Sequence, residues 1–414
     1  VTYICPVPGS RYLNPEQNII LKLPKGFDPG SIPTANIHIE GKRSGVLQQD
    51  WMLSGDNETL IIKPIQKFKL DERVEVRISG LRTTQGQAIK STFFHFFTKK
   101  EEIGEITLMH DPEPSGNVRA AGHKPKKKVN DSNLDDNNLP PDFPSISSTG
   151  GYLDDRYIFA NLNPRLSQGQ YSDYMVILDN FGTPIFYQRT TRGMLNFSML
   201  PDGTLTYGEN YNTHSPLERY YIMDSSYTVI ATVNTGNGYY VDTHDMLLMD
   251  NGHYLMMSYD PQIVNMSLIV PGGNPEATVI GLVIQEVDLN GNVYFQWRSW
   301  DHFEITDCTP DINLLGSNID YVHGNAFEFD DDGNILLSCR NLDEITKIDY
   351  NSGEVIWRFG KNASQNQFTI FNDPVGFSHQ HDIRKSLSGN YTRYDNGNLH
   401  QSTFSRALEY YIHE

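Results

Sequence analysis

Basic charge is scarce in this 414-residue chain: 33 Lys and Arg stand against 51 Asp and Glu, for a formal net charge of −18. Binding a phosphate backbone needs a basic face, so the balance argues against a nucleic-acid partner. The one basic run, Lys124 to Lys128, lies beside the acidic stretch Asp131–Asp136 and reads as a solvated linker. Cysteine is scarcer still, with Cys5, Cys308 and Cys339 only. They lack metal-ligand spacing, the odd count leaves at least one thiol free, and a Cys308–Cys339 pair stays open. No apolar run approaches the ~20 residues of a membrane-spanning helix. The chain opens on Val1 rather than Met, which fits a leader removed or a late start, and so favours export.

Turn formers are plentiful, with 33 Gly and 22 Pro, and they separate short β-rich stretches, as expected of an all-β chain. Residues 1–98 read as a small immunoglobulin-like β-sandwich, with strands expected at Asn18–Leu23, Asn36–Glu40, Thr59–Lys63, Arg73–Ile78 and Thr92–Thr98. No cluster of catalytic residue types occurs there, so its expected role is structural. Residues 99–142 read as a linker, partly disordered, because Glu113–Pro141 is polar, rich in Asn and Asp, and has almost nothing to bury.

From Phe143 onward the chain repeats itself. One half-unit is a strand, a glycine turn and a strand: FSMLPDGTLTY, HDMLLMDNGHYLMM, NAFEFDDDGNILLS and HDIRKSLSGNYTRY, with turn glycines Gly203, Gly252, Gly333 and Gly389. The other ends in an aspartate before a turn and a further strand: MVILDNFGTPIFYQ, YYIMDSSYTVIATV, QEVDLNGNVYFQW and TKIDYNSGEVIWRF. Apolar positions alternate with period two, not 3.6. Two half-units make one four-stranded propeller blade, so residues 143–414 are expected to form a β-propeller. Four blades and part of a fifth can be counted.

The repeat places histidines in phase. His244 and His381 hold the same offset from Gly252 and Gly389, and His323 lies slightly further from Gly333. First strands of propeller blades line a central channel, so these histidines should converge on one mouth. Arg340, just after the strand that pairs with the one following His323, should return to the same place. His379 and His253 read as outside the site. Three imidazoles suit nucleophilic, acid–base or metal chemistry. No carboxylate is placed to complete a water-activating zinc set, and an arginine is a poor neighbour for a dication. The arginine fork instead matches a tetrahedral oxyanion. Metal, phosphoryl and sulfuryl chemistry all remain open on the residues alone.

The phrases CPVPGSRYLNP, NGYYVDTHDMLLMDNGHYLM, VIGLVIQEVD, WRSWDHFEITD, IDYVHGNAFEFDDDGNILLSCRNLDEITKID, GEVIWRFGKN and GFSHQHDIR resemble the arylsulfotransferase family, in its secreted two-domain form with an N-terminal immunoglobulin-like module. The resemblance implies a six-bladed propeller, truncated here if the ring does not close. It implies transfer of a sulfuryl group from a phenolic sulfate donor to a phenol acceptor, without PAPS and without any cofactor or metal. By the same resemblance His381 is the nucleophile, while His244, His323 and Arg340 surround the sulfuryl oxygens. Asn325 is expected to line the site, and Tyr239 and Tyr240 read either as a sandwich for the phenol ring or as core and strand packing. A cell surface or secreted location outside the bacterial inner membrane is implied too, with the secretion machinery as a partner. Two competing readings are a non-catalytic surface propeller that binds glycans or an adhesion partner, and a metallohydrolase built on the three histidines.

Overall fold

The turns expected from the sequence organise the chain. Gly203, Gly252, Gly333 and Gly389 each adopt φ between 78 and 85°, a left-handed conformation that glycine reaches without steric cost, and each closes a tight hairpin. The aspartates that end the other half-units work differently. The Oδ1 atoms of Asp179, Asp224, Asp288 and Asp349 accept the backbone N–H of Phe181, Ser226, Asn290 and Asn351 at 2.8–2.9 Å. Such side-chain-to-backbone turns are what short carboxylates favour after a strand. The computed structural model describes residues 1–104, 139–146, 156–162, 171–190, 193–209, 215–402 and 404–414. Most of the expected linker therefore lies outside the described residues.

The N-terminal part holds two four-stranded antiparallel sheets. One is ordered Tyr3–Cys5, Ile19–Lys22, Thr59–Pro64, Gln49–Leu53, and the other Gly45–Val46, Asn36–Gly41, Arg73–Ser79, Thr92–Phe97. Val74, Val76 and Ile78 alternate inward and meet Ile19, Leu21, Leu60 and Ile62 of the first sheet in one core. The alternation fails at Ile19–Lys22, where all four residues are buried. Ile20 and Ile61, on the opposite face, pack into the C-terminal core instead. A strand covered on both faces loses its polar side.

Among the described residues the C-terminal part holds five antiparallel sheets. The first contains Ile158–Leu162, Asp173–Leu178 and Pro184–Thr190; the second Met194–Met199, Leu205–Glu209, Arg219–Met223 and Val229–Val233. The third contains Tyr240–Leu248, Tyr254–Val264, Ala277–Val287 and Val293–Arg298, with Asn318–Asp320 added in parallel to Ala277–Val287. The fourth contains Gly324–Phe329, Ile335–Cys339, Glu344–Ile348 and Val355–Phe359; the fifth His381–Lys385, Tyr391–Asp395 and Arg406–Tyr410. In every sheet the first strand in sequence lies at one edge, and the first strands of successive sheets touch.

A buried carboxylate ties four of those edges together. Asp245, on the first strand of the third sheet, accepts Phe327 N–H of the fourth at 3.1 Å and Arg384 Nη1 of the fifth at 2.8 Å, and lies 3.5 Å from Asn196 Nδ2 of the second. The expected convergence of first strands is thus present in the hydrogen bonding. Cys5, Cys308 and Cys339 are all free thiols, so the Cys308–Cys339 pair is not formed. Among the described residues no helix is long and apolar enough to cross a membrane.

Candidate active site

Every first strand that carries a candidate residue is broken in register: between Asp242 and Met246, between Gly324 and Ala326, and between His381 and Arg384. A bulge of this kind bends a strand and re-aims its side chains. His323, just before the bulge of the fourth sheet, takes φ 48°. For a non-glycine residue that conformation costs on the order of 1–3 kcal/mol, and Asp320 helps to hold it. Asp320 Oδ1 accepts His323 N–H at 3.0 Å, and Oδ2 lies 2.7 Å from His323 Nδ1. Arg340 comes back to the same point, as the hairpin argument expects. Its N–H donates to His323 O at 2.9 Å, and its Nη1 donates to Asn341 Oδ1 at 2.6 Å.

His244 and His323 sit ring to ring with centroids 5.4 Å apart. His244 Nδ1 lies 2.8 Å from Asp242 Oδ1, and the same oxygen accepts its main-chain N–H at 2.9 Å. Burial works against the His244 cation, but Asp242, Asp320 and Asp245 together outweigh burial, and the pKa stands above the ordinary imidazole value. His381 is the opposite case. Burial, then the charges of His323 and His244, lower its pKa to about 4, and Arg340 adds to the effect. It is therefore neutral near pH 7. Its Nδ1 lies 3.1 Å from His379 O and 3.0 Å from Asn396 Oδ1. A main-chain carbonyl can only accept, so Nδ1 carries the hydrogen and Nε2 carries the lone pair.

His244, His323, Arg340 and His381 thus form one set. Asn325, buried, donates its Nδ2 to Gln380 O at 2.8 Å and so braces the residue that precedes His381. Tyr239 and Tyr240 stand apart from it. Tyr239 is buried, and Arg298 and Asp260 are the charges that act on it most strongly. Both tyrosines line a cavity of about 950 Å³ between the N-terminal sheets and the third sheet, which also touches Tyr259 and Val241 but none of the four set residues. His253 and His379 lie outside the set: His253 Nδ1 pairs with Glu286 at 2.8 Å, and His379 Nε2 lies 3.4 Å from Asp311. Asp242, Asp320, Asn396 and Tyr259 were not singled out from the sequence. The Tyr259 ring lies 6.3 Å from His244 and 5.9 Å from His323. Among the described residues no group of three His, Cys, Asp or Glu is arranged to hold a metal ion.

A neutral histidine beside two carboxylate-backed histidines and an arginine can accept a tetrahedral, anionic group and stabilise its oxygens. Residues 143–414 match the family model for arylsulfotransferase (ASST). The chain belongs to the arylsulfotransferase family. It is therefore a member of an enzyme family that acts on aryl sulfates. No curated protein matches the chain. Among solved structures, a protein of unknown function from Bacteroides caccae is 10% identical over 62% of this chain and 73% of its own, with a TM-score of 0.34. A catalytically inactive virginiamycin B lyase from Staphylococcus aureus with quinupristin is 10% identical over 90% and 88%, with a TM-score of 0.32. Likenesses so distant carry no argument about the arylsulfotransferase chain.

Proposed function

We propose that the chain transfers a sulfuryl group from an aryl sulfate to a phenol through a sulfo-histidine on His381, without PAPS. The observation that carries this reading is the contrast at Nδ1: carboxylates face His244 and His323, whereas only uncharged oxygens are placed at His381. The Nε2 lone pair of neutral His381 attacks sulfur, the N–S bond forms, and the S–O(aryl) bond breaks. The departing phenolate takes a proton from His244, whose imidazolium form Asp242 favours, and Arg340 and His323 stabilise charge on the sulfuryl oxygens. A phenol acceptor then returns its proton to His244, its oxygen attacks sulfur, and the N–S bond breaks to restore His381. Asn325 braces the His381 strand, and the cavity lined by Tyr239, Tyr240 and Tyr259, whose ring lies 6.3 Å from His244, is the side from which the phenol approaches.

In the same reading the five C-terminal sheets are blades of a β-propeller, with first strands around the axis. The touching first strands and the Asp245 knot support that arrangement. The N-terminal sheets are an immunoglobulin-like module, and the enzyme works outside the bacterial inner membrane after secretion. These assignments rest on the family resemblance. A non-catalytic surface role would predict the four site residues to be held apart, yet the rings of His244 and His323 are 5.4 Å from each other.

The test is turnover of 4-nitrophenyl sulfate with phenol as acceptor. The expected result is nitrophenolate release that depends on acceptor, and a trapped sulfo-enzyme when acceptor is withheld. His381→Ala should abolish the adduct and lower turnover by at least ~10³-fold, as for other covalent nucleophiles. A folded protein without turnover across several donors and acceptors would sink the reading.

A further inference from the structure

The three histidines differ in what faces Nδ1, and at His381 one of the two oxygens arrives from far along the chain. Asn396 lies in the connection between the last two strands of the fifth sheet, and its neighbours on both sides are pinned. Asp395 is fully buried, and its Oδ1 accepts the N–H of Ser378 at 2.9 Å and of Gly397 at 3.0 Å. Arg406 Nε donates to its Oδ2 at 2.7 Å. Gly397 N–H also approaches Ser378 O at 3.0 Å. Gly397 has φ +69°, and a Cβ there would fall 2.1 Å from Phe404 O, so the backbone is closely packed at the residue that follows Asn396. The Asn396 side chain is thereby delivered to His381 at 3.0 Å.

We infer that Asn396 is a positioning residue for the sulfuryl nucleophile: its side-chain oxygen accepts the Nδ1 hydrogen of His381 and, being uncharged, fixes the ring without favouring its cation. The inference rests on His381 being that nucleophile. The titratable or charged groups whose fields act on His381 are His323, next to the fourth sheet, His244 from the third and Arg340 from the end of the second strand of the fourth. All three oppose a positive charge on His381, and the carboxylates Asp242 and Asp320 are bound to the other two histidines. An amide is the acceptor that keeps this balance. A carboxylate in its place would build a third His–Asp pair and stabilise the imidazolium.

The experiment compares wild type, Asn396→Asp and Asn396→Leu in the full chain. The first readout is the pH dependence of the nitrophenolate burst from 4-nitrophenyl sulfate without acceptor. The second is the ring ¹⁵N chemical shifts of His381, assigned with His381→Gln. In wild type the acid limb of the burst rate should lie towards about pH 4. Asn396→Asp should move that acid limb upward by ~1–3 pH units, with the rate recovering at higher pH. Asn396→Leu should leave the limb in place and lower the plateau by ~10-fold, the loss of one hydrogen bond. An unmoved limb in folded Asn396→Asp, or an unchanged plateau in Asn396→Leu, would overturn the inference. If wild type shows no burst, the sulfuryl reading fails first. The ¹⁵N titration then decides the role of Asn396 alone: a His381 pKa equal in wild type and Asn396→Asp overturns it, and a raised one supports it.

Discussion

At the scale of single residues, the site works by giving three imidazoles different neighbours. Asp242 and His244 are two apart in the phrase V-D-T-H, but His244 falls inside the bulge between Asp242 and Met246, so strand alternation alone does not set the pair. Asp320 and His323 are three apart and meet only because His323 turns left-handed, which no spacing rule foretells. Asn396 reaches His381 across a hairpin and a loop, and no sequence signal marks it. The phase of the turn glycines was enough to group His244, His323 and His381. Their protonation states were not legible, because those depend on burial and on these partners. The Asp242 pairing carries a prediction. Asp242→Asn removes the strongest of the charges that favour the His244 cation, so the His244 pKa should drop. The alkaline limb of kcat/KM should shift to lower pH. Phenyl sulfate, whose leaving group needs a proton, should slow by ~10²-fold or more, and 4-nitrophenyl sulfate far less. Equal slowing of the two donors in a pH-rate comparison would count against His244 as the acid.

At the scale of strands, the glycine and aspartate turns gave away most hairpins, because those turns need specific backbone angles and specific acceptors. What stayed hidden is how the strands behave at the centre. The bulges at Asp242/Met246, Gly324/Ala326 and His381/Arg384 have no glycine or proline common to all three. The strands Tyr254–Val264 and Ala277–Val287 are also long, running well past the turn-defined hairpin. Gln262 at the far end of the first meets Tyr12 O of the N-terminal part at 3.3 Å, so this length is set by a tertiary neighbour rather than by local propensity. The Asp245 knot makes the strand arrangement testable. Arg384 keeps Asp382 at 2.9 Å when Asp245 is neutralised, so Asp245→Asn should cost about 1–3 kcal/mol, the range for a compromised buried hydrogen-bonding group. Urea denaturation should show that loss with an unchanged m-value. A cost near zero would mean that the first strands are held by packing alone.

At the scale of the molecule, the sequence suggested two modules joined by a polar linker, and the structure shows two parts that share a core. Tyr3, Cys5, Ile20 and Ile61 belong to the same apolar cluster as Phe295, Trp297 and Phe327. Tyr3 OH donates to Gln296 O at 2.6 Å and accepts Gln296 N–H at 2.8 Å, while Gln296 Nε2 donates to Gln17 Oε1 at 2.9 Å. Within this contact one group works against stability. Lys22 Nζ lies 3.8 Å from the Tyr350 ring centroid and 3.9 Å from Glu286 Oε2. Burial lowers its pKa to about 8, against the opposing pull of Glu286, Asp56 and Glu58. The unfolded lysine titrates near 10.4, so between about pH 8 and that value the unfolded chain binds more protons than the folded one. Stability from this residue therefore rises with pH through that window, and below it the whole cost of burying the cation is present. Glu286 keeps His253 Nδ1 at 2.8 Å and Asn251 Nδ2 at 3.0 Å without Lys22. Lys22→Met, similar in length and uncharged, should accordingly melt at or above the wild-type temperature at pH 7, with the advantage shrinking by about pH 10. Calorimetry at the two pH values reads this directly. A lower melting temperature at pH 7 would show that the aromatic and carboxylate contacts of Lys22 outweigh its burial.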